Sequence, residues 1–173
     1  LVIVFTMLVT QPAHRFFTIY QRDLGFALAS VGVIAVAGSV FDMVSRFSAG
    51  VLSDRKGRKR LLLYLVLGAM LFPFLLIYLE SPGGLLVSKV LLSVVHAAFW
   101  TIIIAYLYDT NPRKKAGKAY AKASMALLAV NLASPLIGGF VIEKLGYHWL
   151  FSLSCYLAVI PLVLIFFLRN PPP

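Results

Sequence analysis

Gly50-Val51-Leu52-Ser53-Asp54-Arg55-Lys56-Gly57-Arg58-Lys59 lies between two long apolar runs. One acid and five basic residues, counting Arg60, crowd around Gly57. Such a cluster needs water or lipid head groups, while its flanks avoid water for the length of a helix. The stretch reads as a charged turn joining two membrane spans.

The same alternation continues outward. Hydrophobic residues make up 61% of the 173-residue chain and charged residues 13%; a soluble domain has about half and about a quarter. An aqueous core cannot bury this much apolar side chain, so lipid is the solvent. Apolar runs predict six helices, at 1–20, 27–52, 60–79, 84–108, 116–141 and 146–168. At ~1.5 Å per residue each suits a hydrocarbon core of ~30 Å. The whole chain is then one all-α transmembrane bundle. Its connections carry turn residues, as in Ser81-Pro82-Gly83-Gly84, Asp109 to Gly117 and Lys144-Leu145-Gly146. The chain starts with Leu inside an apolar run, so the first helix is expected to be cut short; it reads as a span and not as a signal peptide.

A net charge of +10 invites a nucleic-acid reading, which the placement of the charge rejects. Arg55, Lys56, Arg58, Lys59 and Arg60 follow helix 2. Arg113, Lys114, Lys115, Lys118 and Lys122 follow helix 4, and Arg169 follows helix 6. These ends share one side of the membrane. By the positive-inside rule that side is cytoplasmic, and the basic residues meet anionic lipid head groups. Cys155 is the only cysteine, so no intrachain disulfide can form; it reads as a small core residue.

A weaker copy of the first motif follows 89 residues later. Gly139-x-x-x-Glu143-Lys144-x-Gly146 matches Gly50-x-x-x-Asp54-Arg55-x-Gly57, with Tyr147 and His148 in place of Arg58 and Lys59. The same offset puts Asn131 on Asp42 and Ser134 on Ser45. Two units of three helices fit this. Three is odd, so the second unit crosses the membrane upside down, the inverted-repeat logic of many transporters.

Charged groups inside a bilayer face protein or water rather than lipid. Helix 1 carries Gln11, His14 and Arg15; helix 2 Asp42 and Arg46; helix 4 Lys89 and His96; helix 5 Asn131. Helices 3 and 6 have none between Leu61 and Leu79 or Trp149 and Leu168. Helices 3 and 6 are therefore expected to face lipid, and helices 1, 2, 4 and 5 to border a polar space. Lys89, Ser93, His96 and Trp100 form one stripe on helix 4. Each residue has a plain structural reading as well. Asp42 and Arg46 can simply neutralise each other at i, i+4, and Arg15 can snorkel. Trp100 can pack, His96 can donate one hydrogen bond or carry a proton, and Asn131 and Ser134 can bond across helices. As a lining, the set is cationic, with Asp42 its single acid, and favours an anionic solute gripped by Arg. No H-E-x-x-H, G-x-S-x-G or G-x-x-x-x-G-K-[ST] occurs, so an intramembrane enzyme, a nucleotide site, a metal site and a cofactor are not expected.

The motif around Gly57 resembles the loop between helices 2 and 3 of major facilitator superfamily transporters, and the resemblance covers almost the whole chain as the amino-terminal six-helix half of that fold. Tyr20-Gln21-Arg22-Asp23-Leu24-Gly25-Phe26 looks like the end of the family's helix 1. Asp109-x-x-Pro112-Arg113, then Gly117-Lys118, looks like its helix 4–5 loop. The resemblance implies that Gly50 and Gly57 permit tight packing. It also implies that Asp54, Arg55, Arg58 and Lys59 form a cytoplasmic gate, with Arg58 reaching Asp109 and Asp54 facing a helix end of the other half. The helix 4 motif is altered, with Lys89 and Ser93 where Arg and Gly usually stand. The helix 5 antiporter motif appears as Ser134-Pro135-Leu136-Ile137-Gly138-Gly139 and leans toward export. Arg46 sits where some anion carriers of the family place a substrate-binding Arg.

The resemblance implies secondary active transport of a small solute by alternating access in the cell membrane; protons are the expected coupling ion, and the cationic lining makes an anion the expected solute. A drug or metabolite efflux antiporter half, or a non-transporting scaffold or sensor, remains open. Polar faces on helices 1, 2, 4 and 5 call for a missing carboxy-terminal half, a separate partner or a second copy.

Overall fold

The structure, a computed structural model, describes residues 2–168, apart from the side chains of residues 113–116. Arg113, Lys114, Lys115 and Arg169, counted above among the basic clusters, therefore lie outside the described side chains. The chain forms α1 (Val2–Asp23), α2 (Leu28–Lys56), α3 (Arg58–Tyr78), α4 (Pro82–Thr110), α5 (Arg113–Leu145), α6 (Tyr147–Leu157) and α7 (Val159–Phe166). The last two make one span, so six helical segments are long and apolar enough to cross a membrane. No strand occurs among the described residues.

Local chemistry sets the boundaries. Ser81 caps α4 by accepting the Gly84 amide at 3.1 Å, with Pro82 supplying a first position that needs no donor. Two helices meet at Gly57 without a loop. Its amide closes α2 on the Ser53 carbonyl at 3.1 Å, and its own carbonyl accepts Leu61 N–H at 3.4 Å to open α3. Gly146 repeats this with Ile142 at 2.9 Å and Leu150 at 3.4 Å. Both glycines have φ near +86°, a region that costs any residue with a Cβ. The expected loop after helix 2 is thus corrected to a single residue: Asp54 and Arg55, beyond the expected end at 52, lie on α2 itself. The break at Ala158 was not expected. Pro161 three residues on lacks the N–H that the Leu157 carbonyl would have used.

The packing is pseudo-symmetric. α2 lies on α4 as α5 lies on α1; α3 lies on α4 as α6 lies on α1; α3 and α6 touch each other. Each triplet therefore lends its second and third helices to the first helix of the other. One apolar cluster, with Met7, Leu62, Val66, Phe99 and Ile102, fills the end near Gly57. A second, with Phe17, Phe72, Leu76, Leu85 and Phe151, fills the end near Gly146. His96 falls between these clusters along α4, and His14 stands beside Ala13 of the second cluster on α1.

Apolar side chains face outward on more helices than α3 and α6. α3 and α6 do expose apolar side chains such as Tyr64, Leu71, Phe74, Trp149 and Tyr156. The least covered spans, however, are α2 and α5, at 22% and 17% buried against 56% for α1 and 50% for α4. α2 presents Val36, Val40, Met43 and Phe47, and α5 presents Met125, Leu128, Leu132 and Leu136. Each set recurs at helical spacing and forms a stripe. Helix periodicity shows which face is apolar but not which neighbour lies against it.

Candidate functional site

The polar residues meet where α1, α2 and α4 approach. His14 on α1 and His96 on α4 stack with ring centroids 5.8 Å apart and planes 17° from parallel. Lys89, two turns before His96, leans toward α1 and sets its Nζ 5.6 Å from the centre of the Phe17 ring. Gly38 on α2 makes this possible. A Cβ there would stand 2.8 Å from Lys89 Cε and 2.9 Å from Ser93 Oγ, so the lysine stem lies in a trough that only a missing side chain provides. Among the described residues the Lys89 ammonium has no acidic partner within salt-bridge distance.

Gly38, Asp42 and Arg46 follow one another by a turn along α2. Arg46 Nε donates to Asp42 Oδ2 at 2.7 Å and Arg46 Nη2 to Asp42 Oδ1 at 3.4 Å. The Arg46 side chain is half exposed. His14 lies within electrostatic range of Arg15, Asp42, Lys89 and His96, and His96 within range of Asp42, Arg46 and Lys89. Three neighbouring helices thus carry three fixed cations, two imidazoles and one carboxylate, which Arg46 already holds.

Other residues chosen by spacing lie apart from this group. Gln11 is buried, with its amide 3.8 Å from Met7 Sδ. Trp100 packs on the cluster containing Phe99 and Ile102. Asn131 Oδ1 and Ser134 Oγ are buried on α5 without a hydrogen-bond partner among the described residues. Pro135 lies inside α5 and is exposed. Of the paired glycines beside it, Gly138 is the tight one: a Cβ would meet Phe16 Cε2 at 2.5 Å, whereas at Gly139 the nearest atom is 3.8 Å away. At Gly50 a Cβ meets nothing within 4 Å in this chain, so the tight packing expected of Gly50 is absent here. Sequence reasoning missed Gly38 and Phe17. The one available signal for Gly38 was its place four residues before Asp42.

At the Gly57 end, Arg58 is mostly buried and pairs with Asp109 of α4, and with Asp54 at 3.4 Å. Lys59 Nζ donates to the Phe166 and Leu168 carbonyls at 3.0 and 2.7 Å, matching a cation to a helix C-terminus. Asp54 and Arg55 are exposed. At the Gly146 end, Tyr147 donates to Asp23 Oδ2 at 2.6 Å. His148 Nε2 stands 3.6 Å from Glu80, which also accepts from Tyr20 at 3.2 Å. The start of α3 holds the ends of α4 and α7, and the start of α6 holds the end of α1 and Glu80, just past α3. That exchange is what an inverted repeat requires.

A family model described as Major Facilitator Superfamily matches residues 2–173. The chain belongs to this superfamily. Its six spans in two inverted triplets fit half of the superfamily fold. The chain is 32% identical over 123 residues to the multidrug resistance protein MdtG of Proteus mirabilis, covering 68% of this chain and 30% of the relative. It is 27% identical over 151 residues to the probable 4-methylmuconolactone transporter of Cupriavidus pinatubonensis, covering 84% and 34%. It is 27% identical over 146 residues to the multi-drug resistance efflux pump PmrA of Streptococcus pneumoniae, covering 80% and 35%. The chain spans about a third of the length of the curated relatives it matches. These superfamily members are transporters and not enzymes, and this chain is a multi-pass membrane protein.

Proposed function

We propose that this superfamily member forms one six-helix half of a secondary active transporter that carries a small anionic solute across the cell membrane by alternating access, with protons as the coupling ion. The observation that carries the reading is Lys89: an ammonium over the Phe17 ring inside a helical bundle, without an acidic partner among the described residues, two turns from His96 on α4 and packed against Gly38, two turns from Arg46 on α2. A charge at that depth needs compensation, and an anion supplies it.

The bare stripes on α2 and α5 are the faces that a second half covers, whether a carboxy-terminal half, a separate partner or a second copy. Superfamily halves are related by an axis along the membrane normal, so a copy of equal topology fits. Lipid covers α3 and α6. The Gly57 end faces the cytoplasm, where Arg58 with Asp109 anchors the gate and exposed Asp54 and Arg55 are free to meet the other half. A relative named as a multidrug resistance protein supports the efflux alternative, in which Asp42 serves a cationic drug.

The test is a panel of anions and lipophilic cations applied to the purified chain in nanodiscs, reading thermal stability and, by light scattering, particle size. Stabilisation by one anion, lost in Arg46→Ala and Lys89→Gln, supports the proposal. Stabilisation by tetraphenylphosphonium alone, lost in Asp42→Asn, replaces it with the efflux reading. No response to either class, with Arg46, Lys89 and His96 all replaceable by Leu without loss of function, leaves a scaffold.

A further inference from the structure

We infer that Asp42 is a built-in stand-in for the solute's carboxylate, seated on Arg46 until an incoming carboxylate displaces it. This rests on the anionic reading above and names the anion's class.

The first observation is the grip. Both Asp42 oxygens face the Arg46 guanidinium, Oδ2 on Nε at 2.7 Å and Oδ1 on Nη2 at 3.4 Å. A guanidinium offers this two-point arrangement to carboxylates and phosphates alike; the carboxylate is assigned because Asp42 shows one seated on these two donors. The second is that the pair joins nothing. Asp42 and Arg46 are a turn apart on one helix, so their bond fastens no element to another, unlike Arg58 with Asp109 across α3 and α4. Arg46 is 52% exposed, and an exposed i, i+4 pair is among the weaker contacts a protein makes. The Arg46 seat is therefore open to competition from the uncovered side of α2.

The third observation is a second place for Asp42 to go. Lys89 lies in the trough at Gly38, and Gly38 is one turn along α2 from Asp42. Its ammonium rests over the Phe17 ring and has no carboxylate among the described residues. An arriving carboxylate takes Arg46, Asp42 turns to Lys89, and no charge is left bare. Without an anion the internal carboxylate keeps the arginine neutralised, while Lys89 rests on the Phe17 ring.

The experiment measures benzoate binding by titration calorimetry to the wild-type chain, Asp42→Asn and Asp42→Asn with Arg46→Gln, all in nanodiscs, with inorganic phosphate as the comparison anion. Removing the competitor is expected to tighten benzoate about two- to fivefold, to leave phosphate less affected, and to lose the gain when Arg46 is also removed. Asp42→Ser makes the same test if the Asn variant does not yield monodisperse protein. If the wild type binds benzoate and the neutral variants bind it equally or more weakly, the stand-in role is overturned while the anion site remains. If they gain as much for phosphate as for benzoate, the assignment to carboxylates fails. If no variant binds either anion, both this inference and the anionic reading fall.

Discussion

Tyr147 stands 89 residues after Arg58, and each ties the start of its helix to the end of a first helix in the other triplet. Arg58 pairs with Asp109 at the end of α4, and Tyr147 donates to Asp23 at the end of α1. The geometry repeats and the chemistry does not: one end uses a mostly buried guanidinium, the other a neutral phenol.

That difference has a measurable consequence. A double-mutant cycle of Arg58→Ala and Asp109→Ala should give a coupling of about 1 kcal/mol, the upper part of the range for partly exposed pairs, and 1 M salt should reduce it. Tyr147→Phe should cost about 1 kcal/mol and respond less to salt. Thermal unfolding in detergent at two ionic strengths measures both. Equal salt dependence at the two ends contradicts the expectation.

Glycines of the motif and its copy should not all behave alike. Gly57→Ala and Gly146→Ala each force a Cβ into positive φ and should each lose about 1–2 kcal/mol. Gly50→Ala lies inside α2 with open space around it and should be neutral or gain up to ~1 kcal/mol in this chain. A stability series of the three variants settles the order, and a Gly50→Ala loss as large as that of Gly57→Ala defeats it.

Gly138→Ala brings a methyl group against the Phe16 ring edge and should lose roughly 1–3 kcal/mol by overpacking between α1 and α5. Adding Phe16→Leu should recover much of this. Strict additivity of the two substitutions would show that the contact does not set the spacing.

Gly38→Ala should act through Lys89. The new methyl group displaces the lysine stem and Ser93, costing roughly 1–3 kcal/mol and lowering any thermal response to anions. Lys89→Ala in that background should relieve the packing loss without restoring the response. Recovery of both would mean that Lys89 is only a packing residue.

Much of this fold is legible in the residues. Apolar run lengths give the six spans, and the motif offset of 89 gives the inverted triplets, because both depend on spacing along the chain. The extension of α2 through Asp54 to Lys56 is not legible as such: a charged run looks like a loop, yet a helix can carry it into the head-group layer. The Ala158 break was available in Pro161 and was passed over inside a strongly apolar run. Spacing placed Trp100 and Asn131 on the polar stripes, but their depth depends on the neighbouring helix. The Lys89 cradle needs residues 17, 38 and 89 from three helices, and no periodicity along one helix reports that.

The helix exchange at Gly57 and Gly146 also bears on how the protein enters a membrane. A frame that looks alike from above and below has no intrinsic upright orientation. Its handedness toward the cell comes from the cationic residues written onto one of two equivalent edges. Moving the exposed Arg55, Lys56 and Arg60 to the opposite edge would keep the Arg58 and Lys59 ties and invite the same bundle to insert upside down.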